Sequence, residues 1–341
     1  MTALDSGSII KALSGGAAGA SSVAIGAAVG TNEINNTILA FIAGSVVSGS
    51  AVSIDAASDS IIKTQTFGAS GAGDVQVSGS VSLNKISNVI MASITGSNLS
   101  LTGPVAISAV DNSMIDALAG AVGGAGTVAV DAAVATNDIN STLMAFIDGS
   151  VVTGSTVSFD AASHATIESL TLGVAGAGTV AAGAAISLNK ISNTIVAGIR
   201  NGSYLTATGQ VNVSAADDST IEAQAAGIFV AGTVSVGAGV ATNDINGTVS
   251  AIISGSTVTG TDIAVEALSD SIIDVSAYGA GGAGTVAVAG SVSLNDISNA
   301  ADAHIESNAH VNASGQISVA AVNNANIDAN AGGLGVAGVA A

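Results

Sequence analysis

Thr31–Asn35 reads TNEIN, and this pentapeptide returns along the chain as LNKIS, TNDIN or LNDIS. Its first asparagine recurs at intervals of 52, 53, 52, 54 and 52 residues, at Asn32, Asn84, Asn137, Asn189, Asn243 and Asn295. Thr and Leu alternate before this asparagine, so the closest identity recurs every 105 or 106 residues. A fixed period of this size is typical of repeat proteins, in which successive modules stack on one another.

A second marker, an isoleucine that follows a polar cluster, keeps the same period. It falls at Ile10, Ile62, Ile115, Ile167, Ile221, Ile273 and Ile327. Two independent markers therefore predict a single continuous array over residues 1–341, with about six and a half repeats and no cap at either end. Open ends of a repeat array expose unpaired strand edges, so we expect flanking repeats of the same chain or end-to-end stacking of copies.

Alternating small and polar residues favour β-strands throughout, as at Val211, Val213 and Ala215. Between these segments lie Gly, Ser, Asn and Asp clusters that are typical of turns, and the 44 glycines disfavour helix. The pattern predicts an all-β parallel β-solenoid, whose coils hydrogen-bond to one another about 4.8 Å apart. Its Ala- and Gly-rich composition suits closely packed sheets. An antiparallel meander of stacked hairpins, with hairpins at Asn201-Gly202 and at the NKISN segments, is the alternative.

Each repeat contains two similar segments, because VSIDAASDSII from Val52 matches VSLNKISNVIM from Val81. This similarity predicts two coils per 52–53-residue repeat. Repulsion in an acidic column favours the same count, since carboxylates on every coil would lie about 4.8 Å apart and on every second coil about 10 Å apart. The column comprises Asp116, Glu168, Glu222, Asp274 and Asp328.

The composition excludes several classes of protein. Five Lys and Arg against 24 Asp and Glu give a net charge of −19, which would repel nucleic acid. With no cysteine, disulfides and thiolate metal sites are absent. We expect no transmembrane segment, because the apolar stretch Ala17–Val29 is too short to span a bilayer. The opening residues show no targeting signal.

The repeating asparagines indicate a structural role, because stacked amides in turns can satisfy neighbouring backbone groups. The isoleucines two residues further on are predicted to be the larger core side chains beside them: Ile34, Ile86, Ile139, Ile191, Ile245 and Ile297. No G-x-S-x-G motif with a matching His and acid is present, and the three histidines do not recur with the repeat. The sequence therefore predicts no catalytic residues, and we expect no enzyme.

We expect no cofactor and no bound metal. The acidic turns are predicted to be solvated residues that keep the protein soluble, with Ca²⁺ binding there as the alternative. Their carboxylates are Asp59, Asp111, Asp217, Asp218 and Asp270. His304 and His310, with Asp302 and Glu306 nearby, have a spacing that could hold a metal, and ordinary surface histidines are the simpler interpretation.

The succession TVAVAGSVSLN at Thr285–Asn295, followed by a turn and further strand segments, recurs about every 52 residues. It resembles the repeat regions of giant bacterial surface proteins, namely filamentous haemagglutinin-like and leukotoxin-like adhesins and autotransporter passengers. The resemblance covers essentially the whole chain. It implies an extracellular, right-handed β-helix at the bacterial cell surface, and it supplies no catalytic residues.

Together these observations predict a non-enzymatic, rod-like stalk segment of a cell-surface adhesin, which holds a binding tip away from the envelope. Its expected partners are itself, through stacking or flanking repeats, and a host or neighbouring-cell surface. The alternative is a self-assembling subunit of an extracellular filament or sheath. A carbohydrate-acting β-helix enzyme is a third interpretation, disfavoured by the scarcity of basic residues.

Overall fold

The computed structural model describes residues 1–340, and within them every regular element is a β-strand. In chain order the strands are β1 (Thr2–Asp5), β2 (Ile9–Ala20), β3 (Val23–Ile34), β4 (Thr37–Ala43), β5 (Val46–Gly49), β6 (Val52–Ser58), β7 (Ile61–Ala72), β8 (Val75–Ile86), β9 (Val89–Thr95), β10 (Asn98–Leu101), β11 (Val105–Asp111), β12 (Met114–Ala125), β13 (Val128–Ile139), β14 (Thr142–Asp148), β15 (Val151–Gly154), β16 (Val157–Ser163), β17 (Thr166–Ala177), β18 (Val180–Ile191), β19 (Thr194–Arg200), β20 (Tyr204–Ala207), β21 (Val211–Asp217), β22 (Thr220–Ala231), β23 (Val234–Ile245), β24 (Thr248–Ser254), β25 (Thr257–Gly260), β26 (Ile263–Ala283), β27 (Val286–Ile297), β28 (Ala300–Glu306), β29 (His310–Ala313) and β30 (Ile317–Ala337).

Each coil of the chain contains five strand segments of 7, 12, 12, 7 and 4 residues, as in β6 to β10. Turns of two or three residues separate them. In the last two coils the first two segments merge into one strand of 21 residues, β26 and β30. The same geometry therefore repeats from coil to coil with short, uniform connections.

Every strand pairs in parallel with its counterpart in the neighbouring coil, forming one 12-stranded sheet and three six-stranded sheets. Ile10 lies opposite Ile62, and Ile62 lies opposite Ile115. The parallel β-solenoid predicted from the sequence is thus confirmed. The antiparallel meander is excluded for the described residues, because all of their ladders are parallel.

The prediction of two coils per repeat is wrong. Residues one full period apart are direct neighbours in a sheet, so each coil contains 52 to 54 residues. The two similar segments inside a repeat lie in different sheets, since Val52 opens β6 of the 12-stranded sheet and Val81 lies within β8 of a six-stranded sheet. Their similarity reflects the shared pattern of strand, polar turn and strand.

The acidic column also lies on consecutive coils, where Asp116 pairs with Glu168, Glu168 with Glu222, and the series continues through Asp274 to Asp328. These carboxylates point outward, and repulsion between two charges 4 Å apart in water costs only about 1 kcal/mol. Their immediate neighbours, Ile115, Ile167 and Ile221, are fully buried. Burial of one such side chain contributes about 2 kcal/mol, so the core outweighs the repulsion and sets the register.

The coil has a wider body and a thin arm. In the body, the seven- and four-residue strands enclose the larger apolar side chains, among them Ile54, Ile90, Leu99 and Phe159, all buried. The arm consists of the two 12-residue strands of each coil, which pack face to face through Gly, Ala and Ser. At Gly279 a Cβ atom would lie 2.1 Å from the carbonyl oxygen of Gly290 in the facing strand. The small residues predicted for the interior are therefore required by backbone contact.

The turn after the seven-residue strand uses glycine for its conformation. Gly96, Gly149 and Gly255 have φ values of 54° to 57°, in the left-handed region that other residues rarely adopt. The same turn position recurs in five coils, and the next residue is always serine. Ser97 and Ser150 accept a backbone hydrogen bond from the preceding coil, so this turn stacks in register like the strands.

Replacing Gly279 by alanine should destabilise the arm, because the new methyl group must push two backbones apart. Overpacking of this kind costs roughly 1 to 3 kcal/mol. Gly282→Ala is the matched control, since its Cβ would meet only Val230 side-chain atoms at 3.7 Å on the outer side of the same strand. Urea unfolding of both variants measures the difference. Equal stability of the two variants would contradict the close approach of the sheets.

Candidate functional site

The repeating asparagines form a continuous ladder of side chains inside the solenoid. The amide Nδ2 of Asn84 donates to Oδ1 of Asn137, and that of Asn137 donates to Asn189, both at 2.8 Å. The same bond joins all six residues, Asn32, Asn84, Asn137, Asn189, Asn243 and Asn295. These asparagines lie within strands, and their partners along the ladder are other asparagine side chains and not the backbone groups in turns that the sequence predicted.

Serine side chains complete the ladder on alternate coils. The second N–H of Asn84 donates to Ser82, and that of Asn189 donates to Ser187, at 3.0 and 2.9 Å. Asn295 makes the same bond with Ser293 at 2.9 Å. These serines precede the asparagine by two residues and belong to the LNKIS or LNDIS coils.

Beside the ladder, both sets of marker isoleucines meet in one buried cluster. Ile62 and Ile86 come from the two strands of one coil, and Ile115 and Ile139 come from the next. The first and last coils differ, because Ile10 and Ile297 are only partly buried and Ile327 is 44% exposed. Thus Ile327 contributes little to the core of the described residues.

A second buried polar column, not predicted from the sequence, joins two turns of each coil. Asn88 lies in the turn before β9 and donates to Ser58 and Ser60, each at 3.1 Å, and to Ser113 of the next coil at 3.2 Å. In the next coil a carboxylate occupies the position of Ser58: Asp111 accepts from Ser113 at 2.7 Å. From this coil pair onward, coils with an amide in the column alternate with coils that contain a carboxylate, whereas the first coil contains both, with Asn36 donating to Asp5 at 2.7 Å.

This alternation has the same two-coil period as the closest identity at 105 or 106 residues. Asp217 recurs two coils after Asp111, and the residue across from it is the small Gly247. A Cβ atom at Gly247 would lie 3.1 Å from Oδ2 of Asp217. Asn193 and Asn299 occupy the amide coils on either side. The physical unit of this column is therefore a pair of coils.

Burial of the two carboxylates changes their protonation. Asp111 and Asp217 are 0% and 1% exposed, so the expectation of solvated turn residues is wrong for both. Burial raises the pKa of Asp217 to about 6, against the lowering effect of its hydrogen bond from Ser219, while the nearby charge of Asp218 raises it further. Burial likewise raises the pKa of Asp111.

A third buried carboxylate lies in the arm. Asp131 accepts hydrogen bonds from Gln76 and Ser78 of the preceding coil, and burial raises its pKa. Gly123 makes room for the Gln76 side chain, because a Cβ there would overlap the Gln76 amide. This contact occurs in one coil only, so no period in the sequence could have revealed it.

The acidic turns do not converge on a common centre. Asp59 accepts a hydrogen bond from Asn112 at 2.8 Å, and Asp218 lies 3.6 Å from Nδ1 of His164. Within residues 1–340, no three His, Asp or Glu side chains come together in a group that could hold a metal ion. Calcium binding at these turns therefore stays a prediction without a defined site.

The two C-terminal histidines lie on different strands. His304 in β28 is 3.0 Å from Asp302 and 3.7 Å from Glu306, whereas His310 begins β29. His304 thus has carboxylates from its own strand on both sides. His310 lies opposite Thr257 in another sheet, and the paired histidine site considered from the spacing is not assembled.

Replacing Asn137 by alanine should break two rungs of the ladder and leave one N–H of Asn84 and the Oδ1 of Asn189 without their partners. Unpaired buried polar groups cost about 1 to 3 kcal/mol each, so we expect a loss of several kcal/mol in the free energy of unfolding. Asn140→Ala, in the exposed turn three residues later, is the control and should change stability little. Similar losses for both variants would argue against the ladder.

Asp217 should make the protein more stable in mild acid than at neutral pH. Its folded-state pKa of about 6 exceeds the ordinary 3.8, so the folded state binds the proton more tightly. This contribution is complete below pH 3.8 and is lost as the pH rises through about 6. Asp217→Asn should remove it and stabilise the protein at pH 7 by roughly 1 to 3 kcal/mol.

Thermal unfolding between pH 4 and pH 8 measures this effect. Asp270→Asn, which removes an exposed carboxylate, is the control for the general reduction in negative charge. A pH profile that is identical in the wild type and in Asp217→Asn would contradict the assignment.

No helix among residues 1–340 has the length and hydrophobicity needed to cross a membrane. Comparisons with protein-family models, curated protein sequences and solved structures found no match. Function is therefore inferred from the geometry of the coils and from their surface.

Proposed function

We propose that this chain is a non-enzymatic structural segment of a bacterial cell-surface adhesin, located outside the cell. The observation that carries the proposal is the unbroken register, in which each strand class stacks through every coil of the described residues and only turn lengths vary, by one residue. Enzymes on parallel coils need a local irregularity that gathers acid, base and substrate contacts at one place. Here the side chains that recur with the repeat support the stacking of coils.

The surface is consistent with an extracellular structural role. A net charge of −19 keeps copies soluble, and five Lys and Arg residues offer few sites for trypsin-like proteases. All five lie within paired strands, at Lys11, Lys63, Lys85, Lys190 and Arg200. Cleavage requires local unfolding, which continuous ladders on both sides of a strand oppose.

The size of the coil shapes this role. Seven levels of strands, from β2 to β30, give a height of about 30 Å along the axis at about 4.8 Å per level. The 21-residue strand β26 reaches up to about 70 Å across it. The segment is thus broader than it is tall. A stalk built from such coils would be stiffer and have a larger lateral surface, but it would be shorter for a given number of residues.

A structural segment should depend on the number of coils and not on the identity of any one coil. Deleting residues 114–219 joins Ser113 to Thr220, and Thr220 occupies the position of Met114 two coils later. The deletion therefore preserves the alternating amide and carboxylate turns. We expect a folded protein about 10 Å shorter. Displayed between a membrane anchor and a binding domain on a bacterial surface, it should still present that domain.

Deletion of residues 114–139 is the control, because it removes half a coil and leaves the strands out of register. It should abolish folding and display, as measured by circular dichroism and surface labelling. An activity on polysaccharide or another substrate that disappears with residues 114–219 while the remaining coils stay folded would contradict a purely structural role.

The second candidate is a subunit that assembles end to end into a filament or sheath. In the described residues β30 pairs with β26 on one side only, and Ile317 and Ile327 beside this edge are exposed. Further coils or a second copy would cover the edge equally well. Electron microscopy of the purified chain separates the two, since an assembling subunit forms long fibres and a segment stays short.

A further inference from the structure

The arm exposes an unusual outer surface on the sheet formed by β3, β8, β13, β18, β23 and β27. We call it the apolar arm face, and its outward positions form columns of equivalent residues. Its first column is valine in all six strands, at Val23, Val75, Val128, Val180, Val234 and Val286. The fourth is equally aliphatic, at Val29, Val81, Val134, Ile186, Val240 and Val292.

The other columns continue this character. The second holds Ile25, Val77, Val130, Ala182, Val236 and Val288, the third holds only Ala and Gly, and the fifth alternates Thr with Leu. Even in inner coils, Val77, Val130 and Val236 are 37%, 38% and 41% exposed. The inner side of this sheet packs on the 12-stranded sheet, and no strand of the described residues covers its outer side.

The apolar arm face is large enough for a stable interface. The five apolar columns span nine residues of each strand, about 30 Å, and six strands span about 24 Å, which gives on the order of 700 Å². A typical specific interface buries about 800 Å² on each partner, and exposed apolar patches on monomers are usually below 600 Å². The area therefore suits a protein partner of similar extent.

One charged column borders the apolar arm face, and its order of charges points to the partner. It comprises Glu33, Lys85, Asp138, Lys190, Asp244 and Asp296, all in the last but one position of their strands. If a second copy lies face to face with its axis reversed and its strands in the same direction, this column meets itself in opposite order. Lys85 then faces Asp244 of the second copy and Asp138 faces Lys190, while at the two ends of the column Glu33 faces Asp296.

The arrangement with the two solenoid axes parallel is less favourable. With the two axes parallel, the strands of the two sheets run in opposite directions, so the charged column of each copy lies against the first valine column of the other. That places six charges against apolar side chains without partners, which is costly. A membrane is likewise a poor occupant, because a chain of net charge −19 is repelled by anionic lipid surfaces.

We propose that two copies of this chain pair through the apolar arm face, with antiparallel solenoid axes. This lateral pairing covers the valine columns and matches the Lys85 and Asp138 charges with Asp244 and Lys190 of the other copy. It is separate from stacking at the coil ends, and it needs no change in the fold.

Sedimentation equilibrium of the 341-residue chain tests the proposal. We expect a dimer, and Val130→Lys should weaken it by at least about 100-fold because it buries an unpaired charge. Val151→Lys is the matched control: Val151 is also an exposed strand valine, 44% accessible, but lies in the narrow sheet of four-residue strands and should leave the dimer unchanged. Circular dichroism confirms that each variant folds.

The charged column tests the orientation. Lys85→Glu should weaken the dimer, and the double variant Lys85→Glu with Asp244→Lys should restore it, since the two positions face each other across the two-fold axis. If the two substitutions weaken the dimer additively, the antiparallel arrangement is overturned.

A chain that stays monomeric at about 100 µM would overturn the pairing itself. Association that Val130→Lys leaves intact would do the same. A monomer that floats with zwitterionic lipid vesicles would identify a lipid surface as the occupant and would equally overturn it.

Discussion

The register between coils is the constraint on which the rest of the structure depends. The asparagine ladder fixes it, because each amide must donate to the carbonyl of the next amide at about the spacing between strands. The isoleucines on either side fix it again through burial. A slip by one residue would turn both columns outward, leaving amides unpaired and apolar side chains in water. Every other contact in the coil is built on this register.

The period, the strand content and the parallel solenoid could all be predicted from the recurrence of Asn32 and Ile10. The number of coils per repeat could not be predicted. Repulsion between carboxylates such as Asp116 and Glu168 favoured two coils, whereas burial of the neighbouring Ile115 favours one. Exposed charges in water interact weakly, whereas a fully buried side chain is decisive. The alternating Thr and Leu indicated a two-coil order, but the buried carboxylates Asp111 and Asp217 that alternate with amides could not be predicted, because that arrangement depends on which turns meet in space.

The thin arm reverses the usual distribution of side chains. Around Gly279 its inner positions hold small residues, because the two sheets approach until a Cβ at Gly279 would touch the opposite backbone. Larger side chains such as Ile62 and Ile86 are buried only near one end of the arm, whereas most valines of the arm occupy outer positions, as at Val77 and Val130. The stability of the arm then comes mainly from hydrogen-bonded ladders and close backbone packing. Its outer surface remains apolar, and this surface is available for association.

The arm also determines how the chain can serve as a structural element. Two 12-residue strands, nearly half of each coil, widen the cross-section without adding to the height. A stalk selected only for reach would gain most from short coils, since each coil adds the same 4.8 Å or so whatever its length. Retention of a broad arm in every coil is thus better explained by lateral contact than by extension. The body of each coil therefore maintains the stacking along the axis, and the arm provides a lateral surface that a neighbouring copy can cover.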